Sequence, residues 1–422
     1  MTWVSELFVG SSLPHVILTF SFVIALGLAL GRIKFFGVAL GATFVLLVGI
    51  ATSHFGMLFP ERLFADPSGA KHFINPVVLN FLKDFGLLLF IYAVGLQVGP
   101  NFFPSLKKGG LVMNFLAVMT IALNIGVALL FHFTAKIEIS ELVGVLSGAV
   151  TNTPGLGAAQ MCYQNAGGDP NVLANAYATA YPFGVLGIIF SILIVKTFGK
   201  VEKSATSKET PKLEVKESTA QKVEQKSEEE YAAPIPKYYG VDSIALMKIF
   251  IGIFFGILLG SVPIPIPGVA EPLKLGLAGG SLVVAIFVGA LRNRGHFLTR
   301  LSPNATLMMR ETGMSLFLAA VGLGAGETFV DSVVHGGVAW MGVGIVITVL
   351  PLLIVGFLAR RVFKIDYYVV AGFLSGVTTD PPALSYSLEA AGNNKPSEGY
   401  ATVYPLTMFL RIITAQALVS CM

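Results

Sequence analysis

The chain has 422 residues, of which 54% are hydrophobic and only 12% charged, with a mean hydropathy of +0.76. That excludes a soluble globular protein, because many apolar runs reach the roughly 20 residues needed to cross a bilayer. The formal charge of +4 is small and dispersed, which excludes a nucleic-acid binder, and Cys162 and Cys421 form no CxxC metal or redox unit.

The amino terminus, Met1 to Glu6, has no basic n-region and no cleavage site, so the first apolar run reads as a retained helix. Apolar spans are predicted over residues 13–31, 34–56, 76–99, 109–134, 139–163 and 173–196. A polar segment, 201–240, follows. Within 201–230, six Lys and eight Glu alternate with Ser and Thr. Such a composition cannot pack a core, so a disordered tether is expected. Further spans are predicted over 242–261, 273–292, 305–327, 334–358, 367–391 and 399–420. The chain thus divides into a first membrane half (1–200), a charged linker (201–240) and a second membrane half (241–422).

The halves repeat one another. Gly144-Val145-Leu146-Ser147-Gly148 before Thr151-Asn152-Thr153-Pro154 returns as Gly372-Phe373-Leu374-Ser375-Gly376 before Thr379-Asp380-Pro381-Pro382. Lys83-Asp84-Phe85-Gly86 returns as Arg310-Glu311-Thr312-Gly313, and Tyr177-Ala-Thr-Ala-Tyr181-Pro182 as Tyr400-Ala-Thr-Val-Tyr404-Pro405. Gly27 and Gly31 match Gly256 and Gly260. A constant order at a nearly constant offset indicates duplication.

Orientation follows from the basic residues. With the amino terminus outside and both Gly/Pro-broken spans re-entrant, the cytoplasmic loops hold Arg32 and Lys34, Lys107 and Lys108, and Lys196, Lys200 and Lys203. They also hold Arg292, Arg294 and Arg300, and Arg360, Arg361 and Lys364. Asp169, Val262–Pro272, Glu327 and Asp331 fall outside, as the positive-inside rule requires. Five crossings plus one hairpin is an odd number, so the second half must be inverted. The expected fold is an all-α membrane protein of two inverted repeats, each about five transmembrane helices plus one re-entrant helical hairpin. The two hairpin tips should meet near the midplane, with both termini outside, which in a bacterial inner membrane is periplasmic, and the linker cytoplasmic.

Backbone broken inside lipid survives only where protein or a watery cavity satisfies it, and paired breaks point to a transporter's substrate site. The candidate substrate-binding residues are therefore Ser147, Thr151, Asn152, Thr153, Pro154 and Gly155 in the first tip. In the second they are Ser375, Thr378, Thr379, Asp380, Pro381, Pro382 and Ala383. The helix limb after each tip presents bare N–H groups suited to a carboxylate. Asp380, replacing neutral Asn152, could bind a proton, Na⁺ or a substrate ammonium, or simply cap its helix. Tyr181 and Tyr404, with Tyr177 and Tyr400, could line the cavity or anchor at the interface. Arg411 could clamp a carboxylate or snorkel. The pairs Lys83-Asp84 and Arg310-Glu311 read as structural pairing or a water-facing rim. No phosphate loop, HExxH or nucleophile elbow is present, and six scattered histidines lack metal spacing, so neither an enzyme nor a cofactor or metal site is expected.

The GxLSGAxTNTPGLGAA hairpin and the KDFGLxLFxxAVGLxxG helix, with their second copies, resemble the aspartate:alanine exchanger family and its YidE/YbjL duplication. The resemblance covers both membrane halves. It implies an elevator-type carrier of small amino acids or dicarboxylates such as aspartate, alanine or succinate, homodimeric in a bacterial inner membrane. Members commonly carry paired RCK-type domains between the halves, where this chain has only its tether, so their regulation does not carry over. The expected activity is antiport, with a mobile unit holding the hairpins and the third, fourth, ninth and tenth helices. The first, second, seventh and eighth helices would form the scaffold. An H⁺- or Na⁺-coupled symporter of a small carboxylate, a channel for small organic anions, and a membrane receptor are the competing readings.

Overall fold

The computed structural model of the protein describes residues 12–35, 38–39, 42–59, 63–65, 71–105, 110–198, 243–263, 275–291, 303–393 and 395–420. The linker 201–240 lies outside this set, as do the first residues, Lys107, Lys108, Lys200, Lys203, Arg292, Arg294, Arg300 and most of Val262–Pro272. In the first half the helices are α1 (Leu13–Leu30), α2 (Thr43–Gly56), α3 (Pro76–Ser105), α4 (Leu111–Ala135), α5 (Ile139–Ala149), α6 (Thr153–Asn165) and α7 (Pro170–Val195). In the second they are α8 (Ser243–Ser261), α9 (Gly276–Leu291), α10 (Pro303–Ala325), α11 (Val338–Phe357), α12 (Tyr367–Val377), α13 (Pro381–Ala391) and α14 (Lys395–Ser420). One helical turn, Phe329–Ser332, precedes α11, and π-helical turns flank it at Val333–Gly337 and Leu358–Val362.

Among the described residues, six helices are long and apolar enough to cross a membrane: α1, α3, α4, α7, α11 (with its trailing turn) and α14. The chain is a multi-pass, mainly helical membrane protein. Helix α2 is shorter than the predicted span 34–56 because two-residue antiparallel strands, β1 (Lys34–Phe35) and β2 (Val38–Ala39), occupy its start. Gly37 and Gly41 make a helix there costly. A second pair, β3 (Phe64–Ala65) and β4 (Lys71–His72), leads into α3.

Both predicted breaks are present, and glycine packing fixes their path. A Cβ at Gly144 would strike Leu173 and Ala176, and one at Gly148 would strike Tyr177 and Ala180. Four residues along α5 correspond to four along α7 in the same direction, so these helices run parallel. The intervening α6 must then return to the end where α5 began. The same holds for α12 on α14, with Gly372 against Pro396 and Gly376 against Tyr400 and Val403. Both broken segments are therefore re-entrant hairpins.

Their bases lie at opposite ends of the molecule. The first hairpin's return limb runs along the distal part of α14, with Gly155 near Arg411 O and Cys162 Sγ 3.2 Å from Ser420 Oγ. The second hairpin's base sits at the start of α14 and at the end of α7, where Tyr367 Oη donates to Ile192 O at 3.3 Å. A 26-residue helix such as α14 spans about 39 Å, so the two bases are a bilayer apart.

The remaining helices interlock through close glycine contacts. Gly86 of α3 packs on Gly313, Leu316 and Phe317 of α10, and Gly313 packs back on Gly86, Leu89 and Phe90. Gly95 and Gly99 seat α3 on α9, while Gly322 and Gly326 seat α10 on α2. Thus α3 and α10, the third and ninth predicted spans and expected beside the hairpins, pack mainly with α2, α9 and each other. Small residues permit that approach, as is usual between helices in lipid. A seam, crossed by α14 on α3, α6 on α9 and α7 on α10, separates this group from the hairpins with α4, α7, α11 and α14.

Candidate functional site

The hairpin tips meet. Thr151 and Thr379 hold the two apices in the left-handed region, at φ 53° and 58°, an uncommon conformation for a β-branched residue. Each tip then closes identically: Asn152 N–H donates to Ser147 O at 2.8 Å, and Asp380 N–H to Ser375 O at 2.9 Å. Across the gap, Thr151 Oγ1 donates to Thr378 O at 2.9 Å and Thr379 Oγ1 to Val150 O at 3.4 Å. Ser147, Asn152, Thr153, Pro154 and Gly155 of the first tip are buried, as are Ser375, Thr378, Asp380 and Ala383 of the second. Pro381 is exposed and Pro382 partly so.

Four helix ends converge at this point: the N-termini of α6 and α13 and the C-termini of α5 and α12. The C-termini receive side-chain donors from other elements. Thr348 Oγ1 of α11 donates to Ala149 O at 2.7 Å, and Arg411 Nε of α14 to Val377 O at 2.8 Å. A cation at a helix C-terminus is favourably placed against the dipole. Arg411 also donates from a terminal nitrogen to Asn124 Oδ1 at 3.1 Å, and Asn124 Nδ2 donates to Ile347 O at 2.6 Å. Arg411 is therefore buried between neutral acceptors, with unused N–H donors, rather than snorkelled to an interface.

At the N-termini the polar atoms are less satisfied. Asp380 is 0% exposed, and neither carboxylate oxygen has a hydrogen bond; the nearby Ala383 N–H lies outside bonding geometry. Asn152 Oδ1 is likewise buried and unpaired. A buried carboxylate without a partner is costly, and no ion pair joins Asp380 to Arg411 among the described residues. Ser375 and Thr378, by contrast, donate back to Ala371 O and Leu374 O of their own helix.

The tyrosine pairs differ. Tyr177 is fully buried, and its hydroxyl shares a 2.8 Å hydrogen bond with Thr153 Oγ1, beside the first tip. Tyr181 lies against it, ring centroids 5.4 Å apart. Tyr400 and Tyr404 stack at 4.8 Å. The two acid–base doublets also part company: Arg310 pairs with Glu311 at 2.6 Å, whereas Lys83 turns to Asn80 and Gln164. Sequence reasoning passed over Asn124 and Thr348. Each is a polar residue inside an apolar helix, which was the available signal.

A family model described as a predicted permease membrane region matches residues 19–197 and 248–420. The chain belongs to this permease family. It is 34% identical to an uncharacterized transporter of Bacteroides fragilis over 97% of each chain. It is 34% identical to one of Bacteroides thetaiotaomicron over 100% of each, and 29% identical to one of Porphyromonas gingivalis over 99% and 98%. The first alignment runs over 558 positions against 422 residues here, so over a hundred positions of that relative face no residue of this permease. No solved structure matches the chain. Membrane transport is thus the activity its relatives carry in their names, and no catalytic activity is indicated.

Proposed function

We propose that this permease is a secondary active antiporter of small amino acids or dicarboxylates, such as aspartate, alanine or succinate. The observation that carries the reading is the joined pair of buried hairpin tips, each with an unpaired acceptor, built from opposite ends of the molecule. In this reading the two halves are inverted repeats of the aspartate:alanine exchanger type. Substrate lies between the tips, its carboxylate against the α6 and α13 N-termini and the unused N–H groups of Arg411. Ser147, Thr151, Thr153, Thr379, Tyr181 and Tyr404 supply neutral contacts, and Gly155, Ala383 and the tip prolines leave room for them.

The hairpin group slides as an elevator past the group containing α3 and α10, along the seam between them. The protein works as a homodimer in a bacterial inner membrane, with its termini periplasmic and 201–240 cytoplasmic. The hydrogen bonds that join the two apices support a carrier over a channel.

The unpaired carboxylate of Asp380 supports a second reading, symport of a small carboxylate with H⁺ or Na⁺. Counterflow in proteoliposomes separates the readings. Antiport predicts saturable uptake of labelled aspartate, alanine or succinate that unlabelled internal substrate accelerates. Symport predicts uptake driven by a pH or Na⁺ gradient without internal substrate. Asp380→Asn should lower uptake at least tenfold in either case; unchanged uptake at every pH and Na⁺ concentration removes Asp380 from the site.

A further inference from the structure

A cavity of about 190 Å³ lies away from the tips, at the base of the first hairpin. Its polar wall includes Lys83 on α3, Gln160 and Gln164 on α6, Asp169 and Asn171 at the start of α7, and Glu327 after α10. Lys83 is only 6% exposed, and its Nζ donates to Asn80 Oδ1 at 3.1 Å and Gln164 Oε1 at 2.8 Å. Both acceptors are neutral. An ammonium has three N–H donors, so one remains, and no ion pair includes Lys83 among the described residues. Asp84 and Asp169 are the opposite charges that act on it.

Gln160 presents the complementary deficit. Its Nε2 donates to Pro170 O at 2.8 Å, while Oε1 is buried with no donor. Glu327 is already engaged by His72 and the Phe73 N–H, each at 3.0 Å. Asp169 spends one oxygen on the Asn171 N–H at 3.0 Å. The cavity therefore asks two opposite things of a guest: a negative group for Lys83 and a hydrogen-bond donor for Gln160 Oε1 beside Asp169. An α-amino acid offers both on adjacent atoms, and a dicarboxylate offers only the first.

We infer that this cavity is a second ligand site, separate from the hairpin tips, that takes a small zwitterion with its carboxylate on Lys83 and its ammonium on Gln160 Oε1 and Asp169. The site straddles the seam. Lys83 belongs to the group of α3 and α10, and both glutamines belong to the hairpin, so a bound zwitterion ties the two together alongside the Lys83–Gln164 hydrogen bond. The inference rests on the transport reading only in its choice of amino acids as probes.

The test is labelling of Asn171→Cys by a hydrophilic maleimide in the purified full chain, with Cys162 and Cys421 replaced by serine. L-Alanine at about four times its dissociation constant should slow labelling about fivefold, and succinate should not. Lys83→Gln and, independently, Gln160→Leu should each abolish protection by alanine while the chain still elutes as a folded species. Asp380→Asn should retain it, because that carboxylate belongs to the other site. No protection by alanine, equal protection by succinate, or loss of protection in Asp380→Asn would each overturn the inference. Protection that persists in a chain without counterflow would leave this site standing and remove the transport reading instead.

Discussion

At the residue scale, the tips are held by donors that reach carbonyls left open at helix ends. Thr348→Val is nearly isosteric and removes the hydroxyl shared between the buried Ala149 O at 2.7 Å and Gly344 O of its own helix at 2.9 Å. Leaving a buried acceptor unpaired costs roughly 1–3 kcal/mol, which thermal unfolding in detergent will register as a lowered midpoint. Thr134→Val is the control. That hydroxyl is exposed and serves only Leu130 O of its own helix, so a change within about 0.5 kcal/mol is expected. Equal effects at the two sites would show that the tip contact is not structural. The residues of the apices were legible from Gly, Pro and Thr in apolar surroundings. Of the residues that brace them, Arg411 was legible as a charge inside an apolar span, whereas Thr348 and Asn124 are lone polar residues whose partners lie far away in sequence, and Lys83 reads in the sequence only as half of a doublet.

At the element scale, the hairpins exist because glycine lets α5 lie against α7 with backbone in contact. A Cβ at Gly148 would sit 2.6 Å from Tyr177 O, whereas one at Gly126 on α4 meets nothing within 4 Å. Gly148→Ala should therefore lose about 1–3 kcal/mol through overpacking and depress uptake, while Gly126→Ala should leave uptake unchanged and stability the same or higher by up to about 1 kcal/mol. Retention of full stability and uptake by Gly148→Ala would contradict the parallel packing. Helix positions were readable from apolar length: the predicted 109–134 and 173–196 became Leu111–Ala135 and Pro170–Val195. The start of α2 was not, since the apolar run from residue 34 contains glycines that break the helix without interrupting its hydropathy. Nor did sequence indicate that α3 and α10 would pack on each other, because reciprocal contact of Gly86 with Gly313 is a property of two distant segments at once.

At the scale of the whole molecule, each half presents a helix seated in the other, α3 on α9 and α10 on α2, and α6 lies along α14. The glycine faces of α3 and α10 are each covered by helices of the other half. Splitting the chain within 201–240 and co-expressing the pieces should yield a complex that co-purifies and retains uptake. Either piece alone should aggregate in detergent; a stable, monodisperse single half would refute the interlock. The proposed mechanism requires the joined tips to form a site reached alternately from the two faces of the bilayer. The most direct measurement is thiol labelling of Asn152→Cys in oriented proteoliposomes, with Cys162 and Cys421 replaced, by an impermeant reagent added to one face at a time. Labelling is expected from either face, slowed by substrate. Labelling from neither face, or from one face alone under all gradients and substrates, would contradict it.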